Sequence, residues 1–335
     1  MINLSLLSCT HQTERSINVA FYFWRSVFKL TPDEIDYLTH SQANKLYLKY
    51  FDIDWHEFKE EPELVAPIRF VDKIPVNLAI IPTVFITNRT LLNLQEQNIE
   101  ILAGNIIKNT NAISQHQNLR FNEIQIDCDW TPKSREKYFK LLELLKSNFT
   151  ARSIQVSVTL RLHQYKYPDI TGIPPADRCM LMFYNMGEID QLNTDNSILD
   201  INTAKNYLNK NISYPLDLDI ALPIFGWGVL FRKDEIVDLL NNISVNDLKN
   251  KDLYQNINAN NYSIIKSHYL SGSYVYNGDI IRIEEVDFKL LLESAEIISN
   301  TLTDEDITIA FFSLTENNIR KFSYEKIIEI CDTFN

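Results

Sequence analysis

Glycine is scarce in this chain, with 7 among 335 residues. Loops that cradle phosphate need glycine at several fixed positions, and neither a dinucleotide-binding nor a P-loop fingerprint occurs, so the chain offers no scaffold for nucleotide chemistry. Basic residues are outnumbered: 32 Lys+Arg face 44 Asp+Glu, a formal net charge of −12. No run supplies the basic face of a nucleic-acid partner, and the same balance speaks against docking on anionic lipid through a polybasic patch. Long apolar runs are missing, and no segment approaches the ~20 residues of a membrane span. Cysteine is confined to Cys9, Cys128, Cys179 and Cys331. None forms a CxxC pair or has His at zinc-finger spacing, which argues against a structural zinc site. Apolar side chains are plentiful instead: 45% of the chain is hydrophobic, with 18 Phe, 16 Tyr and 4 Trp, which excludes a disordered chain. The length suits one large domain or two small ones, each with its own core.

Cys128, Cys179 and Cys331 sit inside apolar runs and read as small buried hydrophobes. Cys9 differs. It closes Leu6-Leu7-Ser8-Cys9, which resembles the lipobox of bacterial lipoproteins, and a polar stretch from His11 to Ser16 follows as a tether. A secretory leader has a basic start and an apolar core of roughly 7–15 residues, whereas eight residues precede Cys9 here. The reading is a lipidated Cys9 at the bacterial cell envelope, with residues 1–16 as anchor and tether and 17–335 as one domain.

Short β-rich runs recur at 18–24, 45–53, 78–86, 123–129, 154–162, 179–186, 219–225 and 307–314. Helical patterns fall at 32–40, 91–114, 134–149, 203–208, 233–241 and 287–300, with a last one at 324–334. Thr31-Pro32-Asp33-Glu34 supplies a cap, a proline at the first helical position and early acids. Tyr138, Leu141, Leu142 and Leu145 share one helical face. Eight strands alternating with helices match a (β/α)₈ TIM-like barrel. An open doubly wound sheet is the alternative, but its Gly-rich first turn is absent. The stretch 242–285, rich in Asn, Tyr and Ser, reads as a long insertion before the last strand.

In such barrels chemistry sits at the C-terminal strand ends. Trp24, Trp55, Trp130 and Trp227 all fall there, joined by Arg25, Asp52, Asp54, Asn88 and Glu188. The fourth strand alternates: Glu123, Gln125, Asp127 and Asp129 face one way, with Ile124, Ile126, Cys128 and Trp130 opposite. The fifth places Gln155, Ser157, Thr159, Arg161 and His163 on one face. Buried polar groups must pair, and Arg161 against Asp127 or Asp129 is the natural solution. Aromatic faces beside carboxylates suit sugar rings, although a purely structural ion-pair network would present the same pattern. A metal site built from Asp52, Asp54, Asp127, Asp129 and His163 is a weaker alternative.

At these residues the chain resembles the family 18 glycoside hydrolases, the chitinase-like barrels. Their fourth strand ends in DxxDxDxE, and Asp127-Cys128-Asp129-Trp130-Thr131 keeps the last two aspartates and an aromatic. Their sixth strand carries Met-x-Tyr-Asp or Met-x-Tyr-Asn, matched by Met182-Phe183-Tyr184-Asn185. Their seventh commonly reads Gly-x-Pro-x-Tyr-Gly, and Ala221-Leu222-Pro223-Ile224-Phe225-Gly226 precedes Trp227 here. The chain is also similar to an uncharacterised bacterial lipoprotein barrel family (domain of unknown function 3142).

The resemblance implies a barrel over residues 17–334 and a glycan partner, an oligosaccharide or polysaccharide, with no cofactor. It implies that Asp129 positions the reacting acetamido group and that Tyr184 assists. The family's general acid is a Glu where this chain has Thr131. General-acid catalysis contributes about 10²–10⁴-fold, so the family mechanism is crippled here. A carboxyl pair would need about 5–5.5 Å for retention or about 6.5–9.5 Å for inversion, flanking the sugar. Asp127 and Asp129 lie on one side, and Asp52, Asp54 or Glu188 would have to face them. The expected site comprises Asp127, Asp129 and Tyr184 for chemistry. Trp24, Arg25, Asp52, Asp54, Trp130, Arg161, His163, Asn185, Glu188 and Trp227 would bind. A non-catalytic assembly lipoprotein using the barrel as scaffold, its mouth plugged by the insertion, is the alternative.

Overall fold

Parallel strands covered on both faces are spelled as near-continuous apolar runs, and that is how the strand segments read. The computed structural model describes residues 15–208 and 214–335, so the Cys9 reading lies outside the described residues. Eight runs form β1 (Ser16–Phe23), β2 (Lys45–His56), β3 (Ala79–Ile86), β4 (Glu123–Asp127), β5 (Gln155–Arg161), β6 (Arg178–Met182), β7 (Asp217–Pro223) and β8 (Asp306–Phe312). Each pairs in parallel with the next in chain order, and β8 returns to β1 with Ala310 opposite Ala20. The sheet is a closed (β/α)₈ barrel with no open edge among these strands.

The helices α1 (Pro32–His40), α2 (Ile99–His116), α3 (Arg135–Thr150), α4 (Ile201–Tyr207), α5 (Phe288–Ser299) and α6 (Tyr324–Asp332) pack outside. In α1 the Thr31 hydroxyl accepts from the Glu34 N–H at 3.2 Å while the Glu34 carboxylate accepts from the Thr31 N–H at 3.0 Å, a reciprocal capping box. In α3 the buried face is Tyr138, Leu141, Leu142, Leu145 and Phe149. The pattern at 91–114 is two helices, Asn88–Asn93 and α2, because Leu94 and Gln95 adopt extended backbone between them. Cys128, Cys179 and Cys331 are free and buried.

The lower interior of the barrel is ionic. Arg178 grips Asp219 at 2.6 and 2.7 Å, Ser157 donates to Glu123 at 2.6 Å, and Lys45 donates to Thr308 at 2.8 Å. Burial raises the Glu123 carboxyl above its usual range, and neighbouring Asp219 adds to the effect. This plug occupies the N-terminal strand ends and leaves the opposite mouth for a site.

The insertion is wider than its composition indicated. Five antiparallel strands, in the order Glu235–Asn241, Gly226–Arg232, Ile280–Glu285, Asn261–Ile264 and Tyr254–Asn256, make a second sheet. Its core is separate, built around Leu230, Leu240, Ile243, Ile264, Val275 and Ile281. The helix expected at 233–241 is therefore a strand. Ile236, Leu239 and Leu240 mimic helical spacing. Lys233 and Asp234, with φ of 53° and 66°, instead form a two-residue hairpin turn that sets Glu235 opposite Arg232.

Candidate functional site

Asp127 is the last residue of β4 and points into the barrel, 5% exposed. It accepts a hydrogen bond from the Thr159 hydroxyl of neighbouring β5 at 2.6 Å. Burial pushes its carboxyl up to about 6, against the pull of nearby Arg161. Two residues on, Asp129 takes Arg161 in a two-pronged grip, through Nε to Oδ1 and through Nη2 to Oδ2 at 2.9 Å. Burial works against the Arg161 charge, but the Asp129 carboxylate outweighs it and holds the guanidinium protonated. Arg161 is fixed in turn by its own N–H, which donates to Gln164 Oε1 at 2.7 Å. Gln164 Nε2 donates to the Trp130 carbonyl at 3.0 Å, which ties the ends of β4 and β5 together.

Tyr184 and Asn185 follow β6. The Tyr184 ring stands edge-on to Phe225, centroids 5.7 Å apart at 89°, and burial lifts its hydroxyl far above the usual range. Asn185 sits in the left-handed region at φ 54°, which asparagine tolerates, and donates its N–H to the Ile198 carbonyl at 2.8 Å. Trp24 leaves β1 and packs on Tyr22 and Phe312, with Lys49 Nζ 5.5 Å from its ring centre. Trp227 opens the first strand of the insertion. Its indole N–H donates to Glu284 at 2.8 Å, and Glu284 accepts from Arg282 Nε at 2.7 Å and Ser197 Oγ at 2.5 Å.

These side chains surround a cavity of about 490 Å³ at the barrel mouth. Of the expected site residues, Trp24, Asp127, Asp129, Arg161, Tyr184, Asn185 and Trp227 line it. A flanking depression of about 390 Å³ shares Asp129, Arg161, Tyr184 and Asn185, and adds Trp130, Thr131 and His163. His163 does not extend the fifth-strand alternation, because the chain turns into the short helix Leu162–Lys166 as soon as Gln164 caps the Arg161 N–H.

Four other candidates are held elsewhere. Arg25 Nη2 donates to both carboxylate oxygens of Glu34 of α1, each at 2.9 Å, and its guanidinium lies over the Phe23 ring at 4.3 Å. Asp52 pairs with Lys49 at 2.9 Å. Asp54 pairs with Arg89 and accepts from Thr87 at 2.8 Å, and the Arg89 bond holds its carboxyl well below the usual range. Glu188 is exposed in the loop after Gly187 and does not line the cavity. The ring of Trp130 is 1% exposed, stacked on Tyr138 at 5.2 Å with its N–H donated to the Thr171 carbonyl, so its face is spent on the core. Among the described residues no group of three or more His, Cys, Asp or Glu is placed to hold a metal ion.

The cavity also contains residues that sequence reasoning missed. Phe312 lies at the end of β8, where the strand-end rule alone would have pointed to it. Asn241 and Asn242 come from the insertion, and nothing in the local sequence signals that they reach the mouth.

A closed parallel barrel with an acid-and-aromatic mouth at its C-terminal strand ends defines a glycoside-hydrolase-like (β/α)₈ fold. Solved structures agree. The spore cortex-lytic enzyme SleL of Bacillus megaterium QM B1551 matches over 96% of this chain and 75% of its own, at 15% identity and a TM-score of 0.55. The chitinase of Chromobacterium violaceum matches over 93% and 98%, at 11% identity and a TM-score of 0.54. A family 18 chitinase from Cycas revoluta, solved in complex with (GlcNAc)4, matches over 95% and 100%, at 12% identity and a TM-score of 0.52. No family model and no curated protein matches the chain. The likeness to family 18 barrels therefore holds at the level of fold.

Proposed function

We propose that this chain binds glycans in the barrel mouth and does not hydrolyse them efficiently. The observation that carries the reading is the distribution of carboxyls. Asp127 and Asp129 are the acids among the cavity's lining residues, and both come from one strand. Trp227, Phe225 and Phe312 line the same cavity, where a hydrolase that works through a carboxyl pair needs its second acid across the sugar. The position of the family's general acid is Thr131, whose N–H donates to Ser134 Oγ at 3.0 Å and whose hydroxyl lies 3.4 Å from the same oxygen. In this reading Asp129 and Asn185 bond sugar hydroxyl or amide groups, and a tryptophan face stacks on the ring. The solved complexes of chitinase neighbours with chitooligosaccharides support a carbohydrate ligand in general.

The scaffold alternative requires a plugged mouth. What speaks for binding instead is that the insertion contributes Trp227, Asn241 and Asn242 to the wall of an open cavity. Envelope attachment through Cys9 belongs to the same proposal. It predicts that fatty-acid labelling of the natural gene product is lost in Cys9→Ser.

The test is titration with chitin oligosaccharides, peptidoglycan fragments and capsule fragments, with reducing ends assayed in the same samples. Binding lost in Asp129→Asn with no reducing ends released is the expected result. Reducing ends that Asp129→Asn abolishes would show a working hydrolase, and no binding to any of these glycans would favour the scaffold.

A further inference from the structure

The insertion carries a second feature that the barrel mouth does not use. A hairpin pairs His268–Leu270 with Ser273–Val275, setting Tyr269 directly opposite Tyr274. Ser271 and Gly272, at φ of 47° and 89°, make its tight turn. Alternation puts Leu270 and Val275 on the inner face, packed on the insertion core, and Tyr269, Tyr274 and Tyr276 on the outer one. These three tyrosines are 77%, 43% and 50% exposed. Their rings touch in series, Tyr269 to Tyr274 at 4.9 Å and Tyr274 to Tyr276 at 5.0 Å, both edge-to-face.

The platform is held rigid from beneath. Arg232 lies 4.4 Å from the Tyr276 ring centre and grips Asp279 with two bonds of 2.9 Å. Asp279 also accepts the Tyr276 N–H at 2.8 Å. Ser273 donates to Asp238, which anchors the hairpin to the strand Glu235–Asn241. That strand ends at Asn241, a wall residue of the barrel cavity, about 10 Å from Asp238 at roughly 3.3 Å of rise per residue. The aromatic face and the mouth are thus joined by one strand.

We propose that Tyr269, Tyr274 and Tyr276 form a second carbohydrate surface, which holds a further stretch of the polysaccharide whose end or branch occupies the mouth. The class of polymer rests on the glycan reading of the cavity, whereas the platform itself stands on its own geometry. Exposed aromatic clusters of this kind mark contact sites. The hairpin's outward positions Tyr269, Tyr274 and Tyr276 are all rings with hydroxyls, which fits the C–H face and hydroxyl rim of a sugar better than an apolar protein core. The chain's net charge of −12 disfavours the other ligand that stacks on rings, single-stranded nucleic acid. Pre-ordering by Arg232 and Asp279 lowers the entropy lost on binding.

The experiment compares insoluble chitin and peptidoglycan sacculi with soluble (GlcNAc)4, using the whole chain and the variant Tyr269→Ala/Tyr274→Ala. Both positions are exposed, so the fold should survive, and Tyr269→Phe/Tyr274→Phe checks that the rings rather than the hydroxyls matter. Two contacts on one rigid body multiply affinity for a polymer and leave a short ligand unaffected. We expect polymer binding to fall about 10-fold or more in the Ala variant while the tetrasaccharide Kd stays within about 2-fold. Unchanged polymer binding in the Ala variant overturns the proposal. So does an equal fall for both ligands, and so does a wild type that binds neither polymer. Polymer binding without tetrasaccharide binding, still lost in the Ala variant, would defeat the reading of the mouth and leave the platform standing. Self-association of the wild type that the Ala variant abolishes would assign the face to a second copy and overturn the sugar reading.

Discussion

Trp227 is positioned by Glu284: its indole N–H meets a carboxylate that is 1% exposed, at 2.8 Å. The cavity's tryptophan is thus set by an ion pair inside the insertion, since Glu284 is held by the fully buried Arg282, which itself donates to the Ile189 carbonyl at 2.9 Å. One buried charge pair fixes both the insertion and a wall of the mouth.

Glu284→Ala should therefore be costly. It leaves Arg282 buried without its counter-charge, and breaking such a pair costs about 3–5 kcal/mol. Urea melts measure the loss, and a decrease below about 1 kcal/mol would mean that the pair is solvated. Trp227→Phe keeps a ring but loses the anchor, so its effect should fall on glycan affinity rather than on stability.

Asp127 makes stability depend on pH. Its folded-state value of about 6 lies above the unfolded value of ~3.9, so the folded chain holds its proton longer. That contribution is fully present below pH ~4 and is lost as pH rises through about 6, some 2–3 kcal/mol in all. Asp127→Asn keeps the acceptor for Thr159 and removes the titration. The difference between wild type and variant should change by this amount between pH 4 and 7 in urea melts, and parallel curves would contradict it.

The Asp129–Arg161 grip is partly exposed, its side chains 49% and 22% open to solvent. A double-mutant cycle of Asp129→Asn and Arg161→Met should give a coupling of about 1–2 kcal/mol in stability. Additivity within about 0.3 kcal/mol would mean that solvent screens the pair.

The turn at Lys233 and Asp234 separates the two readings of residues 233–241. Replacing the pair by Asn-Gly suits positive φ at both positions and should stabilise the chain by about 0.4–1 kcal/mol. In a helix the introduced glycine would instead cost about 1 kcal/mol, so the sign of the change in melting temperature decides.

The barrel was legible because a two-sided parallel sheet leaves little freedom in its strands, and capped helices mark the gaps between them. The inward set of Asp127, Thr159 and Arg161 was legible for the same reason, since side chains alternate with period two. That logic failed at His163, where a single side chain, Gln164, capped the backbone and began a helix in place of a ninth alternating residue. It failed again at 233–241, where Ile236, Leu239 and Leu240 fit both periods and the hairpin turn decided between them. Asp52, Asp54 and Arg25 stood at strand ends as expected, but each had a partner of opposite charge close by, which no strand-end rule reveals. Asn241 reaches the cavity because it pairs directly opposite Trp227 in the second sheet.

The pairing of β1 with β8 has a directional consequence. The Ser16 N–H donates to the Glu305 carbonyl at 2.7 Å, and Arg15 reaches the carbonyls of Leu302 and Phe334 at 2.6 and 3.1 Å. The chain therefore enters the barrel beneath the ionic plug, on the side opposite the cavity. Arg15 and the cavity with Trp24 and Trp227 thus lie at opposite ends of the barrel, and a ligand reaches the mouth without passing Arg15.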